Sequence, residues 1–513
     1  MTSWRSLALV VLILVPMALP ATEASSVLFR EAHVSENRPS RATPGVIRAR
    51  MIEASPHDLA VTDVPVGLRV ERRLDITLNL FDDAWFPVRL EAAERDRIGS
   101  TVWYGRVTGQ PRSSVTLTVN EGSMSVSLSS GSQRYVVRPA RNGLHEAVQL
   151  DSAGFPRELE PVPAFVGDAV AGDGIASDDG STWDILVAYT HIVRNIYGSA
   201  AAVEALISDA IASTNTAYLN SGVNSRVRLV GVIETTYDDQ TTDFSTTLGR
   251  LRNGGDGFMD AVVTQRETVG ADAVALLVYN PTNNACGIGY LMTSPGAGFA
   301  ANAFSVTRDD CAVGNFSFAH ELGHNFGLEH DRVNSGGVAS YPYAFGYQDT
   351  TSLFRDIMAY NCPANCPRIQ YFSNPDVMYN GRPLGVLYTD PLAADNRRAL
   401  NNSATYIGNW RQTVIPLISF TDDPLIAGTT VVKAVHITEL RTAINARRVS
   451  AGLSATTWTN TIVAGGTIRA ADIEEMRSAL TPALGSPPTY TDAALSGVTV
   501  QAIHIQELRN LTR

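Results

Sequence analysis

Twelve consecutive residues, His320-Glu-Leu-Gly-His-Asn-Phe-Gly-Leu-Glu-His-Asp331, constrain this chain more than any other stretch. Histidines four apart on a helix share a face, one turn from each other. His320 and His324 can therefore offer two imidazoles to one tetrahedral zinc, with Glu321 beside them as a base for water attack. His330 cannot share that stripe, because six residues past His324 a helix has turned away. The chain must break and return, and Gly327 stands where a helix end needs a left-handed residue. With 9 histidines and 40 glycines in 513 residues, a chance match to this spacing arises on the order of 10⁻⁵ times per chain. The competing reading is a surface helix with solvated His and Glu.

At these residues the chain resembles the metzincin zinc endopeptidases, and Asp331 after the third histidine is similar to their reprolysin branch. Arg355-Asp-Ile-Met-Ala-Tyr360 is similar to the family's Met-turn, with Met358 lying 28 residues past His330. On its own Met358 would read as a core methionine. The resemblance implies one catalytic Zn2+ held by His320, His324 and His330, a fourth position for water, and Glu321 as general base. Tyr360 is similar to a tyrosine that some metzincins bring near the metal. It is a candidate contact to the metal or the transition state, or else an aromatic packed beneath the site. Arg368 to Pro375 matches where such enzymes place the S1′ wall. The stretch Trp183–Arg411 is similar to the peptidyl-Asp metalloendopeptidase group, which cleaves before acidic residues. That preference needs a cation, for which Arg368 and Arg382 are candidates, although a solvated surface arginine is the commoner state for either.

The chain length implies several domains. A net charge of −11 speaks against nucleic acid or an anionic membrane surface as partner. Arg5, the apolar run Leu7–Val15 and the small residues Ala21 and Ala24 read as a signal peptide over residues 1–25. No later segment is apolar for long enough to span a membrane, so the mature protein is expected to be soluble and secreted. An even cysteine count in an exported chain suggests disulfides. Cys286–Cys311 and Cys362–Cys366 are the favoured pairs, the second closing a short loop after the Met-turn. A cysteine metal site is the alternative.

Residues 26–165 lack cysteine and read as β-rich: Leu74, Ile76, Leu78 and Leu80 alternate with polar residues, as do Val115, Leu117, Val119 and Met124, Val126, Leu128. This layout is similar to a reprolysin-type propeptide; an independent binding domain is the alternative. Without a thiol, latency would need a carboxylate, a histidine such as His145, or steric filling of the cleft. The small, acidic, Gly-rich stretch 166–182 reads as a flexible linker carrying the maturation site. Residues 183–412 carry an α/β pattern of strands and amphipathic helices, expected to form a twisted mixed sheet packed on the active-site helix.

Residues 413–513 hold an internal repeat, small and α-rich, in which His436, Asp472 and His504 are equivalent and lie 36 and 32 residues apart. No ligand cluster surrounds them. They are expected to cap helix starts, with the Glu and Arg of each Glu-Leu/Met-Arg forming surface pairs. The repeats are candidates to bind a surface or matrix ligand. Scattered carboxylates offer oxygens for calcium, but no EF-hand spacing is present.

The sequence thus predicts a multidomain, secreted zinc endopeptidase made as a precursor and acting on proteins or peptides. The alternative is an adhesion or matrix-binding protein whose repeats carry the main role.

Overall fold

A computed structural model describes residues 26–513 except 33–43, 55, 62–63, 65, 68, 165–177, 281–283, 415–419, 427–428, 451–452, 485–486 and 513. The expected signal peptide and most of the expected linker lie outside the described residues.

The N-terminal third forms a ten-stranded sheet. Its central run is an antiparallel meander of Arg69–Phe81, Ala84–Arg95, Thr101–Val107, Ser114–Asn120, Ser123–Ser130, Gln133–Pro139 and His145–Leu150. Period-2 alternation puts Ile76, Leu78, Leu90, Leu117, Val126 and Leu128 on one buried face. The other face is also covered. Thr116, Ser125 and Ser127 donate to Asp209 on the helix Ala200–Ser221 at 2.6, 2.8 and 2.9 Å. A carboxylate buried between layers is tolerated because these hydroxyls replace its water.

The second sheet has six strands in the order Val162–Ala164, Gly287–Met292, Phe304–Arg308, Ala273–Val278, Thr182–Thr190, Arg226–Thr235. Gly287–Met292 runs antiparallel to Phe304–Arg308. Thr182–Thr190 and Ala273–Val278, paired on both sides, are apolar over most of their length and fully buried at nearly every position, as parallel strands under helices must be. The active-site helix Ser317–Asn325 lies against this sheet. Asn325 fixes it there by donating to the carbonyls of Tyr290 and Phe304 at 2.8 and 3.0 Å.

Two expectations need correction. The linker ends before Asp178, because Asp178 and Gly180 pack on the helix Asn396–Ile407 and its end, Asp178 N donating to Asn409 Oδ1 at 2.9 Å. The strand Val162–Ala164, at the end of the β-rich region, joins the second sheet by parallel pairing to Tyr290–Met292.

The C-terminal unit packs the helices Ala434–Ser450, Ala470–Leu480 and Ala502–Leu511 around Ile437, Leu440, Ile473, Met476, Ile505 and Leu508. The repeat arginines are not surface groups. Arg441, Arg477 and Arg509 are 6%, 4% and 0% exposed. Each reaches the glutamate of the next copy, and the last closes on the first: Arg441–Glu475, Arg477–Glu507 and Arg509–Glu439, all 3.6 Å. Each guanidinium also covers an aromatic ring, of Trp458, Tyr490 and Phe420 respectively. The three copies form a closed ring. Among the described residues, no helix is long and apolar enough to cross a membrane.

Candidate metal centre

The histidine helix starts at Ser317 and ends at Asn325, with Phe326 as its cap. Gly327 follows at φ +93°, where a Cβ would also strike Ser340. This reversal carries the chain into the short strand Glu329–Asp331, which returns His330 to the helix face.

The Nε2 atoms of His320, His324 and His330 lie 3.0, 3.2 and 3.2 Å from one another. Three tetrahedral zinc ligands at about 2.0–2.1 Å would be about 3.3 Å apart. His320 Nδ1 donates to the Ile357 carbonyl and His324 Nδ1 to that of Leu328, both at 2.8 Å. These bonds put the proton on Nδ1 and leave each Nε2 lone pair facing its neighbours. Burial holds the His320 and His324 imidazoles in the neutral, ligating form, pushing His320 down to about 3 and His324 well below its ordinary value. The triad fits zinc. Among the described residues it is the one group of three or more His, Cys, Asp or Glu side chains arranged to hold a metal, and calcium gains no such site.

Glu321 is fully buried, and neither of its carboxylate oxygens has a hydrogen-bond partner in the protein. Burial, then the charge of Glu158, raises its proton affinity. Space for its side chain comes from Gly287 and Gly289, where a Cβ would lie 2.5 Å from Oε1 and 3.3 Å from Oε2. The Gly-Ile-Gly at the start of Gly287–Met292 was a readable sign of such close approach.

Met358 lies directly under the helix. A Cβ on Gly323 would come within 2.5 Å of its Sδ, so the glycine inside the motif permits the contact. Asp331 accepts from Tyr360 N at 3.1 Å and from Gln348 at 2.8 Å, tying the His330 strand to the turn after Met358. The Tyr360 ring sits 4.0 Å from the His330 ring, and its hydroxyl donates to the Glu158 carbonyl at 2.7 Å. Disulfides Cys286–Cys311 and Cys362–Cys366 fix the start of the strand Gly287–Met292 and the loop after the turn.

Sequence reasoning missed the segment 157–164. It runs along the outer edge of Gly287–Met292, with Leu159 N donating to the Gly287 carbonyl at 2.9 Å and Cys286 N to that of Arg157 at 3.2 Å. Glu160 places a carboxylate oxygen 3.6 Å from His330 Nδ1. Arg368, read as more commonly a solvated arginine, is instead buried against Glu158, Nη1–Oε1 2.7 Å and Nη2–Oε2 3.0 Å. Nothing local to Glu158 announces this partner, 210 residues away. Arg382 is exposed and pairs with Asp349. His145 belongs to the N-terminal sheet, where its Nε2 accepts from Met124 N at 3.0 Å.

Residues 180–390 match the model of the metallopeptidase family M12B, reprolysin-like. A peptidyl-Asp metalloendopeptidase of Stenotrophomonas maltophilia strain R551-3 is 32% identical over 382 residues, 70% of this chain and 88% of the relative. That of strain K279a is 30% identical over 419 residues, 77% and 96% of the two chains. A third, from Xanthomonas campestris, is 32% identical over 332 residues, 61% and 76%. With its histidine triad gathered under the same family's match, this chain belongs to the reprolysin-like M12B metallopeptidases, zinc-dependent hydrolases of peptide bonds.

Proposed function

We propose that the protein is an exported endopeptidase, made as a precursor, in which Glu321 is the general base. The carrying observation is a buried carboxylate with no protein partner, one residue from His320 in a cradle of converging Nε2 atoms. Such a group is stabilised only by a partner that arrives with metal and substrate. Bound zinc supplies Lewis-acid polarisation of the scissile carbonyl and an acidified water. The Glu321 carboxylate takes the proton of the attacking water and delivers it to the leaving amine. Tyr360 Oη, once released from the Glu158 carbonyl, can donate to the substrate carbonyl. An extended peptide would add to the outer edge of Gly287–Met292. Export is supported by the signal-like residues 1–25 and by two disulfides.

Precursor status is supported by the segment 157–164, which occupies that same edge and reaches His330. Residues 26–164 are then a prosegment, cut within 165–177, residues 178–412 the peptidase, and residues 413–513 an accessory repeat unit. The name shared by the relatives suggests aspartate-directed cleavage. A purely adhesive role is less well supported, because it has no use for Glu321. Glu321→Gln should lower kcat by about 10²–10⁴-fold while zinc content stays at one per chain. An active Glu321→Gln protein would discard the base assignment. The full chain should cleave a short peptide at least about tenfold more slowly than the same chain cut within 165–177, and equal rates would discard the precursor reading.

A further inference from the structure

Arg368 and Glu158 meet beside the catalytic centre, and their partners divide unequally. The guanidinium is held by the carbonyls of Asn315 and Ala359 at 2.9 and 3.3 Å, both from the peptidase. Ser317 Oγ and Asn315 Nδ2 point at the same place, 2.6 and 3.2 Å from Glu158 Oε1. The other groups that meet the guanidinium and the carboxylate side chain come from the peptidase, Ser152 touching only the Arg368 backbone N–H at 3.1 Å, and the anion comes from the segment lying along Gly287–Met292. The pair is dry, with side-chain exposures of 1% and 0%.

A dry guanidinium paired bidentately with a carboxylate is costly to break, because removing one partner leaves an uncompensated buried charge. When the prosegment departs, the pocket keeps a fixed cation and two neutral donors. Its shape and its donors then select a carboxylate, bound bidentately. We infer that Arg368 is the specificity-determining residue of the peptidase, accepting the acidic side chain of the substrate, and that Glu158 holds that pocket in the precursor as a built-in copy of it. This rests on the precursor reading above and adds to it the residue that reads the substrate. Glu158 is well placed to mimic a bound peptide. It is flanked by Arg157 and Leu159, which bond the backbone of Cys286 and Gly287 at the start of the strand Gly287–Met292, and its own carbonyl takes the Tyr360 hydroxyl.

The test uses two peptides identical except for one Asp or Asn, with the full chain cut within 165–177 and loaded with zinc. For the natural sequence, kcat/KM should favour the Asp peptide by at least about 100-fold, since a site built for a charged partner rejects its neutral isostere. In Arg368→Gln that ratio should fall to within about threefold of one, and Arg368→Lys should restore part of it. A merely structural arginine would slow both peptides alike, so an unchanged ratio in a zinc-replete Arg368→Gln protein overturns the inference. If that variant does not fold, Glu158→Gln in the uncut chain serves instead. It preserves shape and removes charge, and should raise the uncut chain's rate on the Asp peptide at least about tenfold. No increase overturns the inference. The precursor reading fails separately, if cut and uncut chains of natural sequence run at equal rates. A zinc-loaded natural protein that cleaves both peptides equally keeps that reading and overturns this one.

Discussion

Two regions of this molecule place a histidine near a glutamate on a helix, and they use the ring in opposite ways. In the peptidase, His320 and His324 donate from Nδ1 to the carbonyls of Ile357 and Leu328. Nε2 is left as an acceptor, which is what a metal requires. In the repeats, His436 and His504 accept at Nδ1 from the backbone N–H of Lys433 and Gln501, both at 3.1 Å. Their proton must therefore sit on Nε2, where it is donated to Asp422 and Asp492 at 3.0 and 2.7 Å. The middle copy confirms the logic of the cap. Asp472 accepts from Arg469 N at 2.8 Å, and the aspartate opposite the histidines is replaced there by Asn460, donating at 3.0 Å. The same ring becomes a ligand or a capping-box member according to which nitrogen the surrounding backbone occupies.

The sharpest break between the two regions is a substitution that the repeats make naturally. His324→Asp should abolish stoichiometric zinc and lower kcat/KM on the order of 10⁴-fold or more, read by metal analysis and peptide cleavage. A variant that still binds one zinc would blur the distinction. Arg509→Ala, which opens the ring of repeat arginines, should cost about 3 kcal/mol in the C-terminal unit, because Arg509 is fully buried against a glutamate that is only a quarter exposed. Chemical denaturation would measure it, and a value under about 1 kcal/mol would mean that the ring does not stabilise the unit.

A third, non-ligating histidine adds a pH test. Burial pushes His145 down to about 4, against about 6.5 unfolded. The unfolded chain then binds more protons between those values, so stability should be intact above about pH 7 and fall as pH drops through that window. The loss should be about 2 kcal/mol by about pH 5. His145→Gln, followed by thermal melts across pH, should flatten that slope, and an unaltered slope would assign it elsewhere. Smallest is the repeat exchange. His504→Asp alone sets two carboxylates against each other and should cost about 1 kcal/mol. Adding Asp492→Asn rebuilds the middle copy's pair and should recover most of it in a double-mutant cycle. No recovery would separate the histidine from its aspartate.

Much of the peptidase was legible because its signals are periodic and local. The α/β pattern expected over 183–412 appears as the strands Thr182–Thr190, Arg226–Thr235, Ala273–Val278, Gly287–Met292 and Phe304–Arg308 with helices between them. Alternation in the N-terminal region likewise announced the meander. The sequence was silent where the partner lies far along the chain. Arg368 has the composition of a surface residue, and only folding brings Glu158 to it. The repeat arginines were misread for the same reason: a Glu-Leu-Arg triplet suggests a local exposed pair, whereas each guanidinium reaches the next copy.

Helical periodicity alone was enough to put His320 and His324 on one face with Glu321 beside them, and Gly327 marked where the helix stops. The tertiary structure alone decided which ring nitrogens face the metal, what fills the cleft, and which arginine stands in a dry pocket beside it. These depend on backbone carbonyls, burial and partners brought from other strands, none of which a local pattern records.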